Sequence, residues 1–322
     1  MKTVVLDCNT VVSNGDISLE PICALGDTFL YDMLNEDEIL QVAEDADAII
    51  CNKANMNSRV IDHCKSLKYI GLFATGYNNV DLDAATKRGI AVCNVPDYST
   101  HSVTQHTIGL MLSMAGSICA YDRSVHSGDW CRSAAFTYLT EPMCEVRGKT
   151  LGIFGFGAIG KSVAKVADAL GMKVIVCTRT QRPDCPYEYV NKEELFKNSD
   201  FLTLHCPLTD STRQLVNKDT LSLMKNSAYI INTSRGGVIN EADLIDALNS
   251  GKIAGAAIDV AVNEPMKEGD PLLNGKNLII TPHVAWATPE ARRRLVGIVA
   301  KNLESFMQGA PQNCVNLGEA NV

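Results

Sequence analysis

One stretch constrains this chain more than any other, Lys149–Arg179, which reads KTLGIFGFGAIGKSVAKVADALGMKVIVCTR. A short apolar run, Leu151–Phe154, gives way to Gly155-Phe156-Gly157-Ala158-Ile159-Gly160. Beyond it Ile159, Val163, Val166, Ala167 and Leu170 share one helical face, Gly171 closes the helix, and Val174-Ile175-Val176 opens another strand. Strand, glycine turn, helix and strand within about thirty residues form the βαβ context in which G-x-G-x-x-G becomes a dinucleotide fingerprint. Gly155 permits the tight turn, Gly157 lets backbone N–H groups approach a pyrophosphate, and Gly160 lets the helix pack close to the sheet. The helix N-terminus adds partial positive charge at the same place.

The fingerprint lacks one part. A carboxylate for the adenosine ribose belongs at the end of the second strand. That strand ends instead in Cys177-Thr178-Arg179-Thr180-Gln181-Arg182. A hydroxyl followed by two guanidiniums suits a 2′-phosphate, which Arg pairs in a planar, bidentate way. The cofactor expected is therefore NADP, with NAD as the alternative if Arg179 and Arg182 are only solvated loop charges.

At 322 residues the chain has room for two domains of about 150 residues each. Its net charge of −8 argues against non-specific binding to nucleic acid or to an anionic membrane, so an anionic substrate must be gathered by local cations. The N-terminus runs straight into a strand pattern, with no secretory leader expected. The most apolar long segment, residues 108–120, is too short to span a bilayer and reads as a buried helix. The twelve cysteines show no C-x-x-C pair and no His/Cys cluster, so no metal is expected. Most lie inside apolar runs, which points to reduced thiols and a cytoplasmic protein. Cys206 alone falls near the expected cofactor as a candidate reactive thiol.

Up to about residue 97, strands at Thr3–Leu6, 48–51, 68–73 and 90–93 alternate with helices at 35–44, 58–65 and 80–87. The loop Ala74-Thr75-Gly76-Tyr77-Asn78-Asn79 leaves a strand end, where open α/β sheets place ligands. It reads either as an N–H nest for an anion or as an ordinary βα turn. A single helix is expected over Ser102–Ala120, as a hinge and subunit contact, followed by a polar segment around Asp129-Trp130. Beyond the fingerprint the strand–helix rhythm resumes, with strands at 201–205, 229–232, 253–260 and 278–280 and a last helix over 289–308.

Three of these later strand ends carry chemistry. They are Asn232-Thr233-Ser234-Arg235-Gly236-Gly237, then Asp259-Val260 running on to Asn263-Glu264-Pro265, then Thr281-Pro282-His283-Val284-Ala285-Trp286. In a parallel sheet such ends emerge on one edge, beside the nicotinamide end of a dinucleotide. A guanidinium can fork onto a substrate carboxylate and its neighbouring carbonyl. An imidazolium can donate the proton as hydride arrives, with a carboxylate fixing its tautomer. Taken singly, each residue reads as readily as a surface ion pair, a structural histidine or a turn residue.

With GFGAIG at 155–160, HCPLT at 205–209, INTSRGG at 231–237, AIDV with EP within 258–265, and TPHVAW at 281–286, the chain resembles the D-isomer-specific 2-hydroxyacid dehydrogenase family over nearly its full length. The resemblance implies catalytic roles for Arg235, Glu264 and His283. It implies cofactor contacts along Gly155–Gly160 (Phe156, Gly157, Ala158 and Ile159 included) and at Thr104, Thr178, Arg179, His205, Cys206, Pro207, Thr212, Thr233, Ser234, Asp259 and Ala285, beside Arg235 and His283. Substrate would be bound by Thr75, Gly76, Arg235, His283 and Trp286. Tyr77, Tyr98, Trp130, Phe136 and Tyr138 are further candidate walls of the pocket.

The fold expected is α/β, with two doubly wound parallel-sheet domains and a cleft between them. One is a flavodoxin-like substrate-binding domain of residues 1–98 plus 290–322, the other a Rossmann dinucleotide-binding domain of 99–289. The resemblance also implies a homodimer. The motif VAW at 284–286 resembles the glycerate dehydrogenase and hydroxypyruvate or glyoxylate reductase branch, and Glu264 disfavours the formate-oxidising relatives, which carry glutamine there. The expected reaction is reduction of hydroxypyruvate or glyoxylate to D-glycerate or glycolate. Alternatives are a D-lactate-like or branched 2-oxo acid reductase and a dinucleotide-sensing, corepressor-like binding protein.

Overall fold

In the computed structural model, which describes residues 1–317, the apolar runs become strands of two parallel sheets. Residues 318–322 of the expected 290–322 segment lie outside the described residues. The chain divides into two compact units, Met1–Ser99 with the stretch from Ala287 onward, and Thr100–Trp286.

The first unit holds β1 (Lys2–Val5), β2 (Asp27–Leu30), β3 (Ala48–Cys51), β4 (Tyr69–Leu72) and β5 (Ala91–Cys93). Their spatial order is β2-β1-β3-β4-β5, all pairs parallel, the flavodoxin-like order. Strands β3 and β4 are buried at every residue, as sheets covered on both faces require. The helix Glu36–Ala43 starts on a capping box, with Asn35 accepting from the Glu38 N–H and Glu38 accepting from the Asn35 N–H. β2 has no counterpart among the expected strands. It is a four-residue edge strand with Phe29 and Leu30 exposed, too short to carry a pattern. The helix Pro289–Met307 opens with Thr288 as its N-cap and proline at its first position. It packs on β4 and on the short helix Glu20–Cys23. Its Arg292, 8% exposed, reaches Asp16 through two nitrogens at 2.9 and 2.6 Å.

The second unit holds β6 (Thr150–Phe154), β7 (Lys173–Cys177), β8 (Glu188–Tyr189), β9 (Phe201–Leu204), β10 (Tyr229–Asn232), β11 (Gly255–Ile258) and β12 (Leu278–Ile280). The order is β12-β11-β10-β9-β6-β7-β8, all parallel. Counted from β6 this is the Rossmann order with one added strand, and the direction of winding reverses between β6 and β9. The fingerprint helix, Ala158–Ala169, buries Gly160, Val163, Ala164 and Ala167 against the sheet. Val166, expected on that inward face, is instead 37% exposed, because the buried stripe runs through the small residues 160, 164 and 167.

The single helix expected over Ser102–Ala120 is two helices. Thr100–Ala115 packs against the fingerprint helix, β10 and β11. It stops at Gly116-Ser117, where Ser117 takes a left-handed conformation (φ 50°), and Ile118–His126 starts in a new direction. That second helix buries none of its residues, and Ile118 is 58% exposed, so the expectation of one buried helix through Ala120 fails beyond the turn. The segment around Asp129-Trp130 is one turn of helix, Asp129–Arg132. Among the described residues no helix is long and apolar enough to cross a membrane.

Candidate active site

At two positions of the glycine turn after β6 only glycine fits. Gly155 has φ 93°, and a Cβ there would stand 2.6 Å from the His205 carbonyl oxygen. A Cβ on Gly160 would stand 2.3 Å from the Gly155 carbonyl oxygen, so the helix could not seat on the strand. Gly157 differs, since a Cβ there meets nothing within 4 Å. Open space therefore lies above Gly157, which is the N-cap of the helix Ala158–Ala169 and supplies no side-chain cap to its first N–H groups. Uncapped donors, helix dipole and clear space together fit a pyrophosphate. Phe156 and Ile159 flank the turn half-buried, and Phe156 meets Tyr187 edge-on at 6.1 Å. At the end of β7 Thr178 is half-exposed and Arg179 and Arg182 are exposed.

Across the winding reversal, β10, β11 and β12 end on the same edge of the sheet. After β10 the buried Asn232 fastens the segment bearing Arg235. Its amide nitrogen donates to the Arg235 carbonyl at 2.9 Å, and its amide oxygen accepts from the Ser234 N–H and hydroxyl at 3.0 and 2.8 Å. Arg235 is half-buried, with Nη1 donating to the Ser234 carbonyl at 2.7 Å. Gly236 lies directly against the turn after β11, where its Cβ would stand 2.0 Å from the Ala261 carbonyl carbon.

That turn carries Glu264. Its Oε1 accepts from the Ala261 N–H at 2.9 Å, and its Oε2 stands 2.6 Å from Nδ1 of His283. The carboxylate accepts from Nδ1–H, which leaves Nε2 as the free ring nitrogen. His283 has φ 55°, a left-handed backbone uncommon outside glycine and found where the surroundings over-determine it. Those surroundings are formed by Asp259. Its carbonyl accepts from the His283 N–H at 2.8 Å, Oδ1 accepts from the Thr281 hydroxyl and the Val284 N–H, and Oδ2 accepts from the Ala285 N–H at 2.9 Å. With the Thr281 proton committed to Asp259, Nε2–H of His106 is the donor in the 3.0 Å contact with the Thr281 hydroxyl.

Arg235, Glu264 and His283, expected together at strand ends, thus stand on adjacent strand ends, with Glu264 and His283 in direct contact. The other expected contact residues lie as follows. Asp259, expected as a cofactor contact, is 1% exposed, and its side chain buttresses the 281–285 loop. Ala285 is 3% exposed, with its N–H on Asp259 and its carbonyl accepting from Ser102, so it serves the same loop. The Thr104 hydroxyl donates to the Thr100 carbonyl one helical turn back at 2.7 Å, and is buried. Thr212 donates to the Pro207 carbonyl at 2.6 Å and accepts from the Thr209 N–H, shaping the 206–212 loop from within. The His205 Nε2 is buried without a hydrogen-bond partner among the described residues, and burial pushes its pKa down to about 4, so the ring is neutral. Burial also pushes the Cys206 thiol up to about 11, which removes the thiolate a reactive cysteine needs. Pro207 is exposed, and the Thr233 hydroxyl pairs with that of Thr107 at 2.9 Å. Trp286 is half-buried.

In the first unit, Thr75 donates its hydroxyl to the Val95 carbonyl at 2.7 Å and accepts from the Asn94 side-chain amide at its own carbonyl. No residue of the 74–79 loop takes a left-handed conformation, so the alternating backbone of a nest is not formed there. Sequence reasoning missed His106 and Thr281. The signal available was Ser102 and His106 one turn apart in the polar first half of the helix, since both reach the 281–285 loop.

Residues 108–285 match the family described as D-isomer specific 2-hydroxyacid dehydrogenase, NAD binding domain. The chain is 42% identical over 322 residues to the hydroxypyruvate reductase of Blautia hydrogenotrophica, covering 98% of this chain and 100% of that protein. It is 41% identical over 281 residues to the glycerate dehydrogenase of Methylorubrum extorquens, covering 87% and 88%. Among solved structures it is similar to an NADPH-dependent glyoxylate/hydroxypyruvate reductase of Sinorhizobium meliloti in complex with NADP and malonate, with TM-score 0.84, 30% identity and coverage of 98% and 96%. The chain belongs to the D-isomer-specific 2-hydroxyacid dehydrogenases, oxidoreductases that work with a nicotinamide dinucleotide.

Proposed function

We propose that this enzyme reduces a small 2-oxo acid, hydroxypyruvate or glyoxylate, to the corresponding D-2-hydroxy acid or glycolate, with NADPH preferred over NADH. The observation that carries the reading is the 2.6 Å contact of Glu264 with Nδ1 of His283, on strand ends next to that of Arg235 and in the unit that holds the fingerprint. When bound, the nicotinamide supplies the hydride. Arg235 forks onto the carboxylate and the 2-oxo oxygen and fixes the face presented. The protonated imidazole gives its Nε2 proton to that oxygen as negative charge develops there, while Glu264 stabilises the imidazolium through Nδ1–H. In the oxidative direction the neutral imidazole takes the proton back at the same atom. Trp286, half-buried in the same unit as Arg235 and His283, bounds the space for the substrate side chain.

Support for NADPH comes from Thr178, Arg179 and Arg182 at the end of β7, where an acidic residue would repel a 2′-phosphate. Support for a homodimer comes from the second unit. Phe136, Leu139 and Met143 are 91%, 76% and 55% exposed, in the segment that follows the unburied helix Ile118–His126. A cavity of about 560 Å³ lined by Met143, Lys149, Tyr229 and Leu278 lies at the strand beginnings, the edge away from Arg235 and His283. Apolar exposure of this extent marks a surface that a second copy covers. The twelve unpaired cysteines support a reducing, cytoplasmic setting.

The test is a panel of 2-oxo acids (hydroxypyruvate, glyoxylate, pyruvate, a branched homologue) assayed with NADPH and with NADH. The expected result is the highest kcat/KM for hydroxypyruvate or glyoxylate with NADPH. No oxidation of either cofactor with any acid, together with retained dinucleotide binding, would favour a sensing protein instead.

A further inference from the structure

Two adjacent N–H groups of the turn after β11 meet two different carboxylates. The Ala261 N–H donates to Glu264 Oε1 at 2.9 Å, and the Val262 N–H donates to Oε1 of Glu241 at 2.7 Å. Glu241 comes from elsewhere in the unit, as the first residue of the helix Glu241–Asn249. The turn is thus held at neighbouring peptides, one by the carboxylate that touches His283 and one by a carboxylate that does not. The same turn lies close against Gly236, where a Cβ would stand 2.5 Å from the Val262 nitrogen. The segment bearing Arg235 and the helix behind it therefore grip the same two peptides.

We propose that Glu241 is a positioning residue for the Glu264–His283 couple, holding the 261–264 turn so that the Glu264 carboxylate stays in line with Nδ1 of His283. The proposal rests on the reading of that couple as the proton-transfer pair. The helix does not need Glu241 as its cap, because Asn240 already fills that role by accepting from the Asp243 N–H at 3.2 Å. The placement is electrostatically unfavourable by itself. Burial raises the Glu241 carboxyl above the ordinary carboxylate range, the Val262 N–H opposes this, and the neighbouring charges of Asp270 and Glu264 push the same way as burial. A half-buried acid kept beside two others is accounted for by the hydrogen bond it accepts. A neutral amide oxygen at the same position can accept that bond equally well.

The test compares Glu241→Ala with Glu241→Gln in the full-length protein. Three quantities are read: kcat and KM for hydroxypyruvate with NADPH, the Kd of NADPH by fluorescence, and hydrogen exchange at the Ala261 and Val262 amides. The alanine variant should lose kcat by about tenfold, as small misplacements of catalytic groups do, with the NADPH Kd within about twofold of wild type and faster exchange at both amides. The glutamine variant should restore kcat to within about twofold and restore exchange protection. Wild-type kcat in the alanine variant, or a glutamine variant as impaired as the alanine one, overturns the proposal. If the wild-type enzyme reduces no 2-oxo acid, the functional reading fails. Unchanged exchange at Ala261 and Val262 in the alanine variant would then still overturn the holding role by itself.

Discussion

At the scale of single residues, the account turns on which groups carry protons and which only hold others in place. His283 carries one. His283→Gln is expected to lower kcat by roughly 10²- to 10⁴-fold while the Kd of NADPH, read by fluorescence titration, stays near wild type. Arg235→Lys keeps the charge but loses the planar fork, so its damage should fall on both kcat and KM for the 2-oxo acid, measured under cofactor saturation. His205 makes a different prediction, about stability. Its pKa is depressed by burial from 6.5 to about 4, so the unfolded chain binds the proton first as pH falls. The contribution is fully present above about pH 6.5 and is lost progressively towards pH 4, to a limit of about 3 kcal/mol. Urea unfolding at pH 7 and at pH 5 should therefore show a loss of stability that shrinks in His205→Asn. An unchanged difference in the variant would assign the slope to other groups. Asp16 acts in a lower window. Arg292 holds its carboxyl down at about 2, and that stabilisation is present above the ordinary carboxylate range and lost as pH falls from there towards 2.

At the scale of elements, the end of β7 is where cofactor choice is expected to reside. Arg179→Asp should raise the KM for NADPH and lower that for NADH, a reversal measured as the ratio of the two kcat/KM values. A ratio unmoved by the substitution would remove Arg179 from the cofactor site. The strands themselves were largely legible, because continuous apolar runs such as 48–51 and 69–72 carry the signature of a sheet buried on both faces. The edge strand β2 was not legible, since four residues with two exposed hydrophobics resemble a loop. Nor was the break at Gly116-Ser117, because apolar residues continue past it while the backbone changes direction at Ser117. Arg235, Glu264 and His283 could be read from the sequence because each follows a strand within a few residues. The groups that hold them could not. Asp259 reaches residues 25 and 26 positions away, and His106 meets Thr281 across 175. Such pairings are set by packing, with no local pattern to announce them.

At the scale of the whole molecule, the net charge of −8 gives a substrate anion no long-range attraction, so on the proposed mechanism local cations such as Arg235 must gather it. If, as proposed, a second copy covers the exposed apolar segment around Phe136 and Leu139, sedimentation should give twice the 34.9 kDa of one chain. Replacing Phe136 and Leu139 together by glutamate should shift that mass towards the monomer. Two units with the flavodoxin-like and Rossmann strand orders, and the similarity over nearly the full chain to hydroxypyruvate reductase and glycerate dehydrogenase, point to one central claim. It is that the Glu264–His283 couple, with Arg235, makes this chain a reductase of a small 2-oxo acid. The most direct measurement follows NADPH absorbance on adding hydroxypyruvate to the wild-type enzyme and to His283→Gln in parallel, with D-glycerate assayed as product. The account predicts rapid loss of NADPH and matching D-glycerate in the wild type, and a rate at least about a hundredfold lower in the variant. Equal rates in the two proteins, or no D-glycerate from the wild type, would contradict it.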